Sequence, residues 1–265
     1  MEQTYSWAWV ETQVAQTVEV WNRSVARPHM AVQQYSVAEQ QRRERAYDEA
    51  LKAVEREVKR APRTKAARME TWDRIIAAFA RFSATALDLE GGATKLLTDD
   101  FLPVGTTLAR WARRFDETLS MADIVQACRN AWTACGLQPL LGVPVRITPA
   151  IIGYSLLYPY SDNYLDDEDI SSEEKLRFSE RFRSLLRGEL LSCLNHRETA
   201  LRLLIAMIDD QYPRARYPQV FESLLAIHRA QEQSISTLQS GNGRVDLEIL
   251  RKSCAKGGSS VVADA

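Results

Sequence analysis

The chain of 265 residues carries 34 Lys and Arg against 35 Asp and Glu, a net charge of −1, so no charge excess draws it to nucleic acid or to an anionic membrane. Hydrophobic residues make up 45% and charged residues 26%, with nine prolines and eleven glycines; this fits one sizeable globular core and excludes collagenous, disordered and disulfide-scaffold classes. The cysteines, Cys128, Cys135, Cys193 and Cys254, form no CxxC pair, and His29, His196 and His228 form no HExxH, so a zinc site is not expected.

Met1-Glu2-Gln3 does not open the basic region and apolar run of a secretory leader, and the thiols are therefore expected to be reduced in a cytoplasm. The longest nearly uncharged stretch, Asn130 to Ser161, is interrupted by Arg146 and four prolines. It falls short of the roughly 20 consecutive apolar residues of a membrane span and reads as helices buried in protein.

Helical spacing dominates along the chain. Tyr47, Leu51, Val54 and Val58 form one amphipathic stripe, and Met69, Trp72, Ile75, Ile76, Phe79 and Phe82 form a second that is expected to stop at Gly91-Gly92. The basic, alanine-rich stretch from Gln40 to Arg68 reads as a solvated helix pair joined near Pro62. Ser120 with Asp123 makes a capping box before Ile124, Val125, Cys128, Trp132 and Cys135, with Gly136 as the expected stop. Val143 to Ile147 alternates like a short strand. Thr148-Pro149 opens another helix, with the hydroxyl as cap and proline in the first turn. Ser171 and Glu174 cap a helix bearing Leu176, Phe182, Leu185 and Leu186, up to Gly188. Asn195 and Glu198 cap the next, through Leu201, Leu204, Ile205 and Ile208 to Pro213, and Pro218 opens a long one bearing Phe221, Leu224, Leu225, His228 and Ile235. The expected fold is all-α, a single domain over 1–265, and the resemblance described below implies N-terminal helices in 1–90 followed by a helical bundle around a central cavity in 91–265.

One segment departs from the solvated-face pattern. Asp162, Asp166, Asp167, Glu168 and Asp169 crowd five acids into eight positions at the end of the most apolar stretch. On a helix the i, i+4 carboxylates of Asp162 and Asp166 project from one face about 6 Å apart. That spacing suits Mg²⁺, which keeps waters and completes its shell with phosphate oxygens. Tyr158 and Tyr154 continue the stripe at steps of four, offering π faces to a carbocation below a metal-bound diphosphate. The bland alternative is that Asp167, Glu168 and Asp169 are loop and capping acids before the helix at Ser171. An EF-hand does not fit, because its glycine and closing glutamate are missing.

Asp162-Asn163-Tyr164-Leu165-Asp166 resembles the aspartate-rich motif DDxxD of class I isoprenoid synthases, with Asn at the second position. Longer blocks are similar to a bacterial group of class 1 isoprenoid biosynthesis enzymes. They are Phe115-Asp116, Gln126 to Trp132, Tyr154 to Tyr160, Gln211 to Arg214, Ile227 to Gln231 and Lys256 to Val261. The resemblance runs from about Gly91 onward. It implies an all-α enzyme in which Asp162 and Asp166, helped by Asp167, hold Mg²⁺ on an allylic prenyl diphosphate, whose ionisation leads to cyclisation or coupling.

Other residues carry paired readings. Arg214 and Arg216 are suited to clamp diphosphate oxygens, or equally to pair with Asp209 and Asp210 in a turn. Arg129 lies on an otherwise apolar helix and, if buried, needs a diphosphate or an Asp. His228 reads as a satisfied core histidine, with Arg229 and Gln231 near the cavity, and Cys128 and Cys135 as core thiols. Lys256 before Gly257-Gly258 is a candidate phosphate contact at a helix break.

The resembling group continues beyond its Lys256-like block into a further helix and a second aspartate-rich motif. After Asp210 this chain offers Glu222, Glu232, Asp246, Glu248 and Asp264, none in such a pattern. The expectation is therefore half a metal site without turnover, an apolar groove left open around Phe221 to Leu238, and association, for example as a homodimer. The rival class is a non-catalytic helical binding or scaffold protein with a surface acidic segment.

Overall fold

The computed structural model describes residues 6–24, 35–59, 64–86, 88–89, 91–235 and 247–264. Among them every regular element is helical and no strand forms, so the all-α expectation holds. The join near Pro62, together with Leu238 and Asp246, lies outside the described residues, as do the side chains of Val58, Arg68, Phe79, Ile235 and Asp264.

The described residues fall into two compact units. One contains residues 35–103 and the other contains 6–24 with 104–264. The break between these units falls after residue 103, and the first helix groups with the later part of the chain.

The smaller unit is built on α2 (Val37–Lys59) packed against α3 (Lys65–Ala86). Ser36 accepts the Glu39 N–H at the start of α2. Tyr47 packs edge-on to Phe82, with ring centroids 5.6 Å apart. Tyr47, Leu51 and Met69 nevertheless stay exposed, so the two stripes form a thin seam and not a deep core. The α3 helix ends at Ala86, before the glycines expected to stop it. Asp88 takes the left-handed turn (φ 50°), a conformation Asp tolerates, and the Leu89 N–H returns to the Ser83 carbonyl. Gly91 instead opens the short α4 (Gly91–Lys95), followed by a π-helical turn over Leu96–Phe101.

In the larger unit, α1 (Trp7–Arg23) is capped by Ser6. The α5 helix (Leu102–Phe115) lies in this unit from Val104 on. Before α6 (Met121–Leu140) the capping box is complete: the Asp123 N–H donates to Ser120 Oγ at 3.1 Å, and the Ser120 N–H to Asp123 Oδ2 at 3.0 Å. The α6 helix passes through Gly136 and ends four residues later, because Gly142 (φ 75°) supplies the left-handed stop. The alternating Val143 to Ile147 segment is no strand. Its backbone pairing is supplied by a side chain, with the Arg146 N–H donating to Gln138 Oε1 (2.7 Å) and Gln138 Nε2 donating to the Arg146 carbonyl (2.9 Å).

The α7 helix (Pro149–Asp166) starts as read, with Thr148 as cap, and continues unbroken through Pro159. It is the most buried element of the unit and packs against α6 (Met121–Leu140) and α9 (His196–Gln211). Gly153 makes the α7–α9 approach possible: a Cβ there would sit 2.7 Å from the Leu204 carbonyl oxygen. Leu156 and Leu165 on α7, and Leu201 and Leu204 on α9, are almost fully buried, each contributing about 1.5–3 kcal/mol of transfer free energy.

The α8 helix (Ser172–Leu186) has the Ser171–Glu174 box, and Gly188 follows it with φ 82°. Before α9, Asn195 accepts the Glu198 N–H as expected. The Glu198 carboxylate turns away from the cap to bind Arg181 and the Leu194 N–H. Last come α10 (Pro218–Ile235) and α11 (Leu247–Asp264). The latter runs straight through Gly257-Gly258, where a break was expected, since a glycine pair costs helix stability without forbidding helical angles.

Candidate functional site

The site is organised by one stripe of α7. Tyr154, Tyr158, Asp162 and Asp166 follow one another at steps of four, and α11 meets that stripe with Ser260 and Lys256. The Lys256 ammonium lies 3.1 Å from Asp162 Oδ1 and 3.9 Å from Asp166 Oδ2. Gln231 of α10 donates to the same Asp162 oxygen at 3.1 Å. One turn deeper, the Tyr158 and Ser260 hydroxyls are 2.7 Å apart and the Tyr154 and Tyr158 hydroxyls 3.2 Å, with the two rings edge to face. The stripe of Tyr158, Asp162 and Asp166 and the separately chosen Lys256 thus meet on one helix–helix seam.

Burial pushes the Asp166 carboxyl pKa upward and the Asp162 charge adds to it, while Lys256 and Lys175 pull the other way. Asp167 does not join Asp162 and Asp166. It caps the end of α7, exposed, with Oδ1 accepting the Asp169 N–H. This is the loop role that the bland reading assigns to it. Asn163, the odd residue of the motif, points to the other side and donates to Asp123 Oδ1 at 2.8 Å, fastening α7 to the capping box of α6. Among the described residues no group of three or more His, Cys, Asp or Glu side chains is placed to hold a metal ion.

Below the carboxylates, Tyr154, Leu157, Phe182, Leu224 and His228 surround a cavity of about 20 Å³, room for one water molecule and not for a hydrocarbon chain. The space beneath the carboxylates is thus too small for the hydrocarbon chain that the resemblance implies.

The remaining candidate cations lie elsewhere. Arg214 donates to Asp209 through both its backbone N–H and Nε at 3.0 Å, bonds the Leu186 carbonyl and covers the Phe221 ring at 3.6 Å, so the turn reading is the one realised. Arg129 is exposed on α6, not buried, because its helix face looks outward as that of Val125 does. Arg229 is exposed and stacks over Trp7 of α1 at 4.7 Å. His228 is a core residue: it is fully buried, Nε2 lies 2.9 Å from the Ser179 carbonyl, and burial lowers its pKa against the opposing charge of Glu232. Cys128 and Cys135 are buried thiols pushed up to about 11 by desolvation.

The apolar residues expected to line an open groove near Phe221 are covered in this structure. Phe221, Leu224, Ile227 and Ala230 are buried, with α10 packed against α11, α8, α7 and α1.

Sequence reading missed two anchors. Ser260 was read only as part of a resembling block, and Gln211, whose Oε1 accepts the Ala150 N–H at the start of α7, only as part of another.

Comparison with protein-family models, with curated proteins and with solved structures finds no match for the chain. Among the described residues no helix is long and apolar enough to cross a membrane.

Proposed function

We propose that the α7–α11 seam is the aspartate-rich half of a Mg²⁺-dependent prenyl diphosphate site of the class I isoprenoid-synthase type. The observation that carries the reading is that Asp162 and Asp166, at i, i+4, already share one cation, Lys256, brought from another helix. The donor set fits the ion: Mg²⁺ is commonly held by one or two carboxylates, with the rest of its shell made of water and phosphate oxygens. Asp162 and Asp166 would hold it, and its charge would neutralise a departing diphosphate. Lys256 would swing from Asp162 to a phosphate oxygen, and the rings of Tyr154 and Tyr158 would face the hydrocarbon. In the whole reaction an allylic diphosphate ionises, and its cation cyclises or couples. These 265 residues are proposed to bind without turnover, as two carboxylates and a small cavity support grip on a diphosphate and not the shelter a carbocation needs.

The small cavity also favours a second reading, a non-catalytic helical scaffold in which Lys256 is the permanent partner of both aspartates. Ligand pockets run to about 300–1,000 Å³, far above the space found here. Titration calorimetry with geranylgeranyl diphosphate, with Mg²⁺ and with EDTA, separates the two. Saturable binding that needs Mg²⁺ supports the diphosphate site, and no heat in either buffer leaves the scaffold.

A further inference from the structure

The smaller unit carries a feature that the α7 site does not use. Between α2 and α3 runs an open groove of about 1000 Å³. Its floor is small and apolar, formed by Ala46, Ala50, Ala53 and the half-buried Phe82. Its walls are basic: Arg45, Lys52 and Arg56 of α2 and Arg81 of α3 are all exposed, and among the described residues none has an ion pair or a side-chain hydrogen bond. The neighbouring arginines behave otherwise. Arg42 pairs with Glu39, Arg43 with Glu39 and Asp88, and Arg74 with Glu57. Of the two acids that line the groove among the described residues, Asp88 is taken by Arg43, which leaves Glu49 against four cations unmatched within that set.

We propose that this groove docks an acidic amphipathic helix of a partner protein. Charge complementarity names the occupant: four cations without a partner among the described residues flank a strip that wants apolar contact, so the partner needs carboxylates on its flanks and small or aliphatic residues between them. The alanine floor lets a helix axis approach to about 8 Å, the close end of helix packing. From Arg45 to Arg56 the cations extend about 17 Å along α2, three turns of a partner helix at 1.5 Å per residue. A nucleic-acid strand or an anionic bilayer would use the charge but gain nothing from a recessed alanine strip. The chain's balanced charge adds no long-range attraction toward either.

The test uses the full 265-residue chain and a fluorescein-labelled synthetic helix with Glu on both flanks and Leu and Ala between. Saturable binding by anisotropy is expected, weakened by added salt and about tenfold weaker in the Arg45→Glu/Arg56→Glu double variant. The Ala50→Leu variant keeps every charge and fills the floor, and is expected to weaken binding as well. Circular dichroism checks that both variants remain helical. Equal binding of a scrambled peptide of the same composition, indifference to both variants, or tighter binding of duplex DNA or phosphatidylserine vesicles at the same groove would each overturn the proposal.

Discussion

Lys256 reaches across from α11 to place its ammonium 3.1 Å from Asp162, on the aspartate-rich stripe of α7. The contact makes Lys256 the resident counter-charge of two aspartates that otherwise repel. Replacing Lys256 by Met is expected to cost at most about 1 kcal/mol, because the ammonium is a third exposed and the pair is screened. The pH dependence is more telling. Asp166 has its folded pKa above the unfolded value, so it favours folding below the ordinary carboxylate range and loses that contribution as the pH rises through its folded pKa. Without Lys256 the shift grows. Urea midpoints of Lys256→Met should fall relative to wild type at pH 7 and converge with it near pH 4; parallel profiles would show that the ammonium does not act on Asp166.

Asp116 is the reverse case. Burial alone would raise its carboxyl, but donors from Thr118, Tyr160 and His196 outweigh it and hold the pKa well below the ordinary 3.8. The Thr118 N–H lies 2.9 Å away, the Tyr160 hydroxyl 2.5 Å and His196 Nε2 2.8 Å. Its contribution is present above the unfolded value and is lost as the pH falls through the folded one. Asp116→Asn should cost about 2–3 kcal/mol at neutral pH, because an amide nitrogen replaces an acceptor. It should also flatten the decline of stability below pH 4, measured by denaturant titration across that range.

Gly153 tests the packing. A methyl placed 2.7 Å from the backbone oxygen of Leu204 cannot be absorbed by a side-chain rotation, so α7 and α9 must separate. Gly153→Ala should lower stability by about 1–3 kcal/mol, and a thermal melt within a degree of wild type would refute the close approach.

Gly257 and Gly258 predict the opposite sign. Both lie inside α11, and a Cβ at either meets nothing within 4 Å. Each change to Ala should stabilise the chain by about 0.5–1 kcal/mol in urea unfolding, through the lower entropy of the unfolded state. A destabilised double variant would show that α11 is not helical there.

How far the sequence revealed this architecture depended on which interactions are local. Caps are local, and Ser120, Thr148, Ser171 and Asn195 were legible as helix starts because each cap needs only a residue within one turn. Helix ends were less legible. Gly91, Gly136 and Gly257 looked like stops, whereas Asp88 and Gly142 take the left-handed positions, and which residue does so is decided by packing. The spacing of Asp162 and Asp166 was visible, but what each faces was not. That Lys256 binds Asp162, that Asn163 turns to Asp123 and that Arg214 folds back on Asp209 are tertiary or turn-geometry facts without a periodic signature. The small cavity was equally hidden, since apolar spacing marks a buried face without telling whether a void lies behind it.

The most direct test of the central claim is thermal stabilisation by Mg²⁺ with geranylgeranyl diphosphate, measured on wild type and on Asp162→Asn. A ligand at about a hundred times its Kd adds about 2.7 kcal/mol, a rise of about 5–10 °C for a chain of this size. The account predicts that rise in wild type only with both components present, and its loss in Asp162→Asn, whose own melting point stays within a few degrees of wild type. The same rise in Asp162→Asn, or none in wild type at saturating ligand, would contradict it.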